Sequence, residues 1–446
     1  MGAAAMRRDR RGNPVSTASA EALDASERAL WRLMSFYGAP FDDLDTAARA
    51  DPAWPLPRLM KAGFLLSLTE PSLVAEARAL IDAVPTSGVG SGNAREHAHR
   101  GALARLADGD WAGAGEAWSE ILRAHPRDAL ALQWAHLFDF YRGDTALLGG
   151  RVAPLVVAWP DDDPLLPYVL ALHAFGLEES GRYVEAEASG RQALALDARV
   201  PWAIHAVAHV MEMQGRYDEG SSWMDEHRAR WGARAVDRDS GQRNGFAGHL
   251  GWHEALFALE TLDIGGALAL FDDYLGADAT EITLQRVDAA SLLWRIALVD
   301  GDVGTRWRTL RDGWRLDRES AGHSLFNDAH ATMTLLGAGE VAEARGWVAQ
   351  SLAAAERRGA WNGAVARAIG APLLHGLVAF GEERYDAATE LIAPLRDRLK
   401  PFGGSHAQRD VVDQTLLAAA ARSGDRSVGR ALLDERRRTK PATPLT

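Results

Sequence analysis

Apolar residues recur along the chain at the three- and four-residue spacing of a single helix face, in short runs punctuated by glycine. The most regular run follows Gly109-Asp110-Trp111: Trp111, Ala114, Trp118 and Ile121 share one face, and Pro126 ends it. Two Gly-Arg-Tyr tripeptides, at Gly181 and Gly215, lie 34 residues apart, which is the tetratricopeptide period. Gly143 precedes Pro160, and Gly424 precedes Pro441, by the same 17 residues that separate Gly109 from Pro126. Further copies follow Gly339-Glu340-Val341, with Ala344 and Val348, and Tyr385, with Ala388, Ile392 and Leu395.

In each copy a glycine lets the chain turn sharply between two helices, and small residues at fixed spacing let the helices approach. One helix pair cannot bury its own apolar stripe, whereas a stack of pairs can. The pattern therefore predicts an all-α fold, a tetratricopeptide-like α-solenoid curled around a concave cavity. Repeat starts fall near Arg95, Ala129, Pro167, Pro201, Gly248, Val287, Leu325, Ile369 and Asp410. Helices are expected before them at Ala20–Tyr37, Pro57–Leu68 and Ser72–Val84, followed by a Gly/Ser-rich joint at Pro85–Asn93. The expected organisation is a disordered tail over 1–19, N-terminal helices over 20–94, repeats over 95–436 and a C-terminal tail over 437–446. A polar insertion near 232–247 is too hydrophilic for core and long enough to lie as a loop over one face.

Composition narrows the chemistry. Among 446 residues there is no cysteine, which excludes disulfides, iron–sulfur clusters, Cys-based zinc fingers and a thiol nucleophile. Any metal would be held by His, Asp or Glu. The 61 acidic residues exceed the 49 basic ones, for a net charge of -12, which argues against a general nucleic-acid surface. The basic N-terminus is not followed by an apolar segment, and no stretch approaches the roughly 18 apolar residues of a membrane helix. A cytoplasmic protein with no nucleic-acid or membrane partner is the expectation; oligomeric state is not legible.

The histidines are more specific. His205 and His209, continuing to Glu212, and His249 and His253 form two i,i+4 pairs in consecutive repeats, so each pair points one way from a single face. These first-helix positions line the groove of a tetratricopeptide array. Three readings stand. The four imidazoles hold a divalent transition metal, with Glu212 as a further ligand or base. A histidine acts as general base without metal, with His209, Glu212 and His330 the catalytic candidates. Or the histidines are buried structural residues, or line a peptide groove. His97, Trp252, Asn327, Asp328, His406 and Arg409 join His205, His249 and His253 as ligand-binding candidates, for a small molecule or peptide on the concave face. Phosphate-loop, dinucleotide, nucleophile-elbow and HExxH patterns are absent from the sequence. An enzyme using histidine-centred chemistry on a small molecule is the alternative to a binding scaffold.

Five segments carry a family likeness: Arg95-Glu96-His97, HAVAHVMEMQG from His205, HLGWHEALF from His249, FNDAHATM from Phe326 and GGSHAQRD from Gly403. Over residues 20–435 the chain resembles the tetratricopeptide repeat protein 38 family. The resemblance implies a single α-solenoid and no well-established activity. That the shared segments coincide with the His-bearing ones suggests a common site.

Overall fold

The computed structural model describes residues 7–232, 236, 241, 243–276, 282–314, 316, 318–358, 360–424 and 426–445. Among these the chain is all-helical apart from one two-stranded hairpin. It divides into two compact units, Met1–Ala206 with Val236–Gly245, and Val207–Ala235 with Phe246–Thr446. The first unit opens with β1 (Arg7–Arg8) and β2 (Pro14–Val15), antiparallel with Arg7 opposite Val15. Then come α1 (Ala20–Ser35), α2 (Phe41–Ala50), α3 (Leu56–Ser67), α4 (Pro71–Asp82) and α5 (Ala94–Ala107). It continues through α6 (Trp111–Ala124), α7 (Ala129–Tyr141), α8 (Thr145–Val152), α9 (Leu166–Glu178) and α10 (Tyr183–Leu196). Helix α11 (Pro201–Met213) carries the chain into the second unit. There follow α12 (Tyr217–Trp231), α13 (Ala247–Glu260), α14 (Ile264–Tyr274), α15 (Thr283–Leu298), α16 (Arg306–Gly313) and α17 (Leu325–Gly337). The last helices are α18 (Val341–Arg357), α19 (Ala360–Val365), α20 (Ala371–Gly381), α21 (Tyr385–Ile392), α22 (His406–Ser423) and α23 (Arg426–Thr439).

Consecutive helices pack as pairs, and their turns explain why. Among the described residues seven pairs are joined by three residues, and the central one always has positive φ: Thr69, Gly109, Gly143, Gly215, Leu262, Gly339 and Glu383. In the turn at Gly109, the Asp110 N–H reaches the Arg105 carbonyl at 2.9 Å and the Gly109 N–H reaches that of Leu106 at 3.0 Å. The same two bonds close the turns at Gly143, Gly215, Leu262, Gly339 and Glu383, satisfying carbonyls that a helix end leaves open. Where Asp follows, it caps the next helix: Asp110, Asp144 and Asp263 accept from the backbone N–H three residues on. Leu262 holds φ at 59° with a β-carbon and a half-exposed side chain. Leu262→Gly should therefore stabilise the second unit by up to about 1 kcal/mol, as left-handed strain is removed. A higher thermal midpoint checks this, and a lower one would show that the leucine's contacts outweigh the strain.

Helices begin at Ala94, Ala129, Leu166, Pro201, Ala247 and Leu325, each within one residue of an expected repeat start. Helix α15 starts earlier than expected because its first turn, Thr283 to Arg286, contributes no buried residue. Helix α22 does so because Ser405 and Gln408 form a capping box ahead of the apolar positions. Ile369 lies within a π-helical turn, Ala366–Gly370, between α19 and α20. Helix α2 was not expected, since its acid-rich sequence buries only Leu44 and Ala47. In the first unit Trp118 and Trp134 are fully buried with rings 6.1 Å apart, and a β-carbon at Gly63 would fall 2.2 Å from the Trp134 ring. In the second, Gly220 plays that part against Phe257, and Gly251 against Tyr274.

Both expected tails differ from the sequence reading. From Arg7 onward the N-terminal segment is ordered: Arg11 is buried against Glu27 at 2.6 Å, Asn13 reaches the Arg127 carbonyl at 3.3 Å, and the Ser16 N–H meets Glu96 at 3.1 Å. Its buried polar residues, Arg11, Asn13 and Thr17, are paired. At the other end, Lys440 is buried between Glu212 (3.4 Å) and Glu260 (3.5 Å), and Thr443 Oγ1 donates to Glu260 at 2.7 Å. Of the insertion expected near 232–247, residues 233–235, 237–240 and 242 lie outside the described residues. Against the expectation that no segment does so, Asn362–Gly381 is long and apolar enough to cross a membrane by length and composition; 67% of it is buried within the protein, the condition of a core helix.

Candidate functional site

Two polar clusters stand out in the second unit. The first is built on α11 and α13. His209 and Glu212 sit one turn apart on α11, and His249 and His253 one turn apart on α13. The His209 and His253 rings lie 4.4 Å apart, and those of His249 and His253 4.9 Å apart. One nitrogen from each of the three histidines falls within 4.8 Å of the others. His209 and His253 are fully buried, while the His249 side chain remains 16% exposed. Carboxylates back two of the rings: His249 Nδ1 lies 2.8 Å from Asp288 on α15, and His253 Nδ1 3.4 Å from Glu212. Burial, with His253 as a neighbouring imidazole, holds the His209 pKa well below the ordinary value; burial, with His249 and Arg295, does the same for His253. Both rings are therefore neutral at pH 7. Trp252 is fully buried, its ring stacked on His249 at 5.4 Å with the Arg295 guanidinium also over the ring, so it is a wall of this cluster.

The second cluster lines a cavity of about 360 Å³. One face of α22 contributes His406, Arg409, Asp410, Asp413 and Leu416; one face of α23 contributes Leu432 and Arg436, with Lys440 in the same four-residue series. Arg396, Asp397 and Lys400 close it from the segment between α21 and α22, and Met213 ends α11 against it. The motif Gly403-Gly404-Ser405 sets this geometry. Gly403 and Gly404 both have positive φ, a β-carbon at Gly404 would fall 2.5 Å from Phe326, and the capping box at Ser405 then launches α22. Arg409 reaches back to the Gly404 carbonyl and is thereby held at the rim of the motif.

Its electrostatics are mixed. Five lining cations, Arg396, Lys400, Arg409, Arg436 and Lys440, face three lining carboxylates. Arg436 holds Asp410 through both carboxylate oxygens, at 2.9 Å for Nη2, and Gln414 donates to Asp410 at 2.8 Å. Burial alone would raise the Asp410 pKa; Arg436 and Lys440 outweigh it and hold the carboxyl far below its usual range. Burial alone would likewise lower Lys440, but Glu212, Asp410 and Glu260 push it up, so the ammonium stays charged. At Asp413 burial and Asp410 win over Arg396, raising its pKa.

The remaining candidates divide. His205 belongs to the first unit, where its ring packs against Phe175 (5.2 Å) and Trp202 (4.9 Å). His97 also lies in the first unit, half-buried on α5, beside a structural network in which Arg95 (2.6 Å) and His99 (3.0 Å) bind the buried Asp128. His330 is buried with Nδ1 on the Phe326 carbonyl at 2.8 Å, its pKa lowered to about 4 by burial. It is thus neutral, and within the core of α17 rather than among the cavity-lining residues. Asp328 is buried too, accepting from Ser351 Oγ (3.0 Å) and the Gly322 N–H (3.0 Å); burial raises its pKa to about 7. Asn327 is half-buried in the first turn of α17, its N–H capped by Ser324. Only His406 and Arg409 of the expected ligand-binding set line the cavity.

Sequence reasoning missed Arg436 and Lys440, which it placed at the margin of a tail. The signal was present in the four-residue spacing of Leu432, Arg436 and Lys440, one face of a helix. No family model matches the chain.

Proposed function

We propose that this is a tetratricopeptide-like solenoid, akin to the tetratricopeptide repeat protein 38 family, that binds a small polar molecule bearing an acidic group in the cavity of its second unit. The observation that carries the reading is a ligand-sized, partly apolar cavity in which lining cations outnumber carboxylates five to three. Its volume, about 360 Å³, suits a compact molecule better than an extended peptide. Arg409 and Lys400 supply an oxyanion-binding side, since guanidinium matches carboxylate and phosphate in a planar fork. Asp413 and Asp397 accept from hydroxyl or amino groups, and Met213, Leu399 and Leu432 cover the ligand's apolar part. The ion pairs Arg436–Asp410 and Lys440–Glu212 fix the walls before the ligand arrives, which lowers the ordering cost of binding. The regular helix pairs and their repeated turn chemistry support the solenoid part of the reading.

The test is a thermal-shift series with hydroxy acids, amino acids and phosphate monoesters on the full chain and on Arg409→Gln. Anionic members should raise the midpoint of the parent, and the variant should lose about tenfold or more in affinity, the worth of a charge-assisted hydrogen bond. Equal response to neutral analogues, or an unchanged response in Arg409→Gln, would count against it.

A further inference from the structure

We propose that His209, His249 and His253 form a binding site for a late first-row divalent metal, with zinc as the reference ion. The proposal is tested separately from the cavity reading, because its three ligands lie outside the cavity lining and it is read out by metal uptake; Glu212, which also pairs with Lys440, is common to both. Three imidazole nitrogens from two helices converge within 4.8 Å, whereas a tetrahedral zinc site with Zn–N bonds of about 2.0–2.1 Å needs them roughly 3.4 Å apart. Small ring rotations span that difference. The convergence is a product of the fold: His209 is brought by α11, and His249 and His253 by successive turns of α13.

Two further features point the same way. Asp288 sits 2.8 Å from His249 Nδ1, which directs Nε2 toward a metal, and Gln408 Nε2 approaches the other Asp288 oxygen at 3.5 Å. Glu212 stands 3.4 Å behind His253 Nδ1. A carboxylate behind a histidine fixes its tautomer and raises its basicity as a ligand. Asp288 also offsets part of the charge of a divalent ion in a buried place, where a bare charge is costly. Imidazole donors select Zn, Ni, Cu or Co over Mg and Ca, whose hard ions prefer oxygen.

The experiment uses the full-length chain without a histidine tag, stripped with chelator and dialysed against zinc, with uptake measured by elemental analysis. About one zinc per chain is expected. The His249→Ala variant, at the one ring with solvent access, should lose at least about a hundredfold in affinity. Asp288→Asn, which leaves all three imidazoles in place, should lose about 10- to 100-fold, the loss typical of a carboxylate that positions a ligand. Cobalt in place of zinc should give the visible absorption of a four-coordinate nitrogen site in the unaltered chain, a readout that does not depend on any variant folding. No zinc retained by the folded parent, octahedral cobalt only, or uptake equal in parent and folded His249→Ala would overturn the assignment.

Discussion

Asp410→Ala should destabilise the second unit by about 3–5 kcal/mol, the cost of stranding buried cations rather than of losing one contact. Asp410 accepts from both terminal nitrogens of Arg436 and from Gln414, and it helps to hold Lys440 charged. Arg436 and Lys440 are 8% and 7% exposed, so neither can recover its interaction in water. The double variant Asp410→Ala/Arg436→Met should recover part of the loss, because removing both charges leaves a smaller penalty than removing one. The sign with pH follows from the depressed carboxyl. The stabilisation is present above the unfolded value near 3.8 and disappears as pH falls from there toward the folded value. Thermal midpoints of the parent and both variants at neutral pH check the prediction; a midpoint for Asp410→Ala equal to the parent's would mean that the ion pair carries no stability.

Asp328→Asn should act in the opposite direction. Burial raises the Asp328 carboxyl to about 7, against the hydrogen bonds from Ser351 and Gly322 and the field of Arg358. A group raised in the folded state contributes its stability below the unfolded pKa and loses it as pH rises through the folded one. For Asp328 that window runs from 3.8 to about 7. At higher pH the ionised carboxylate is tolerated at a cost approaching roughly 4 kcal/mol, taking about 1.4 kcal/mol per pKa unit, and a realistic expectation is about half of that. Asparagine can accept from the Gly322 N–H through its oxygen and donate to Ser351 Oγ, so both bonds survive without the charge. The variant should match the parent near pH 4 and exceed it by about 2 kcal/mol near pH 8. A constant difference across that range would mean that Asp328 does not titrate there.

Much of the helical order was legible because helix pairing is written locally. Glycine before an apolar stripe located four of the seven tight turns, at Gly109, Gly143, Gly215 and Gly339. The other three, at Thr69, Leu262 and Glu383, hold the same backbone conformation with residues whose types give no such signal. Their left-handed geometry comes from the bonds that close the turn, not from the residue's own preference. The histidine spacing placed His209, His249 and His253 on helix faces correctly, but periodicity cannot say whether a face meets a cavity or a core. Both i,i+4 partners on α13 turned inward with His209, while His330 and Asp328 turned into the packing of α17. The cavity was harder to see because its charges come from three separate segments. Arg396, Lys400, Arg436 and Lys440 look like surface residues in sequence, and only the return of the C-terminal segment beneath α11 makes Lys440 the partner of Glu212.

The most direct test of the binding claim is to locate an oxyanion in crystals of the full chain by anomalous scattering after soaking in selenate. A selenium peak is expected inside the cavity of the second unit, within hydrogen-bonding reach of Arg409, with loss of that peak in Arg409→Gln. Selenate found only at surface arginines, with the cavity holding solvent alone in both proteins, would contradict it.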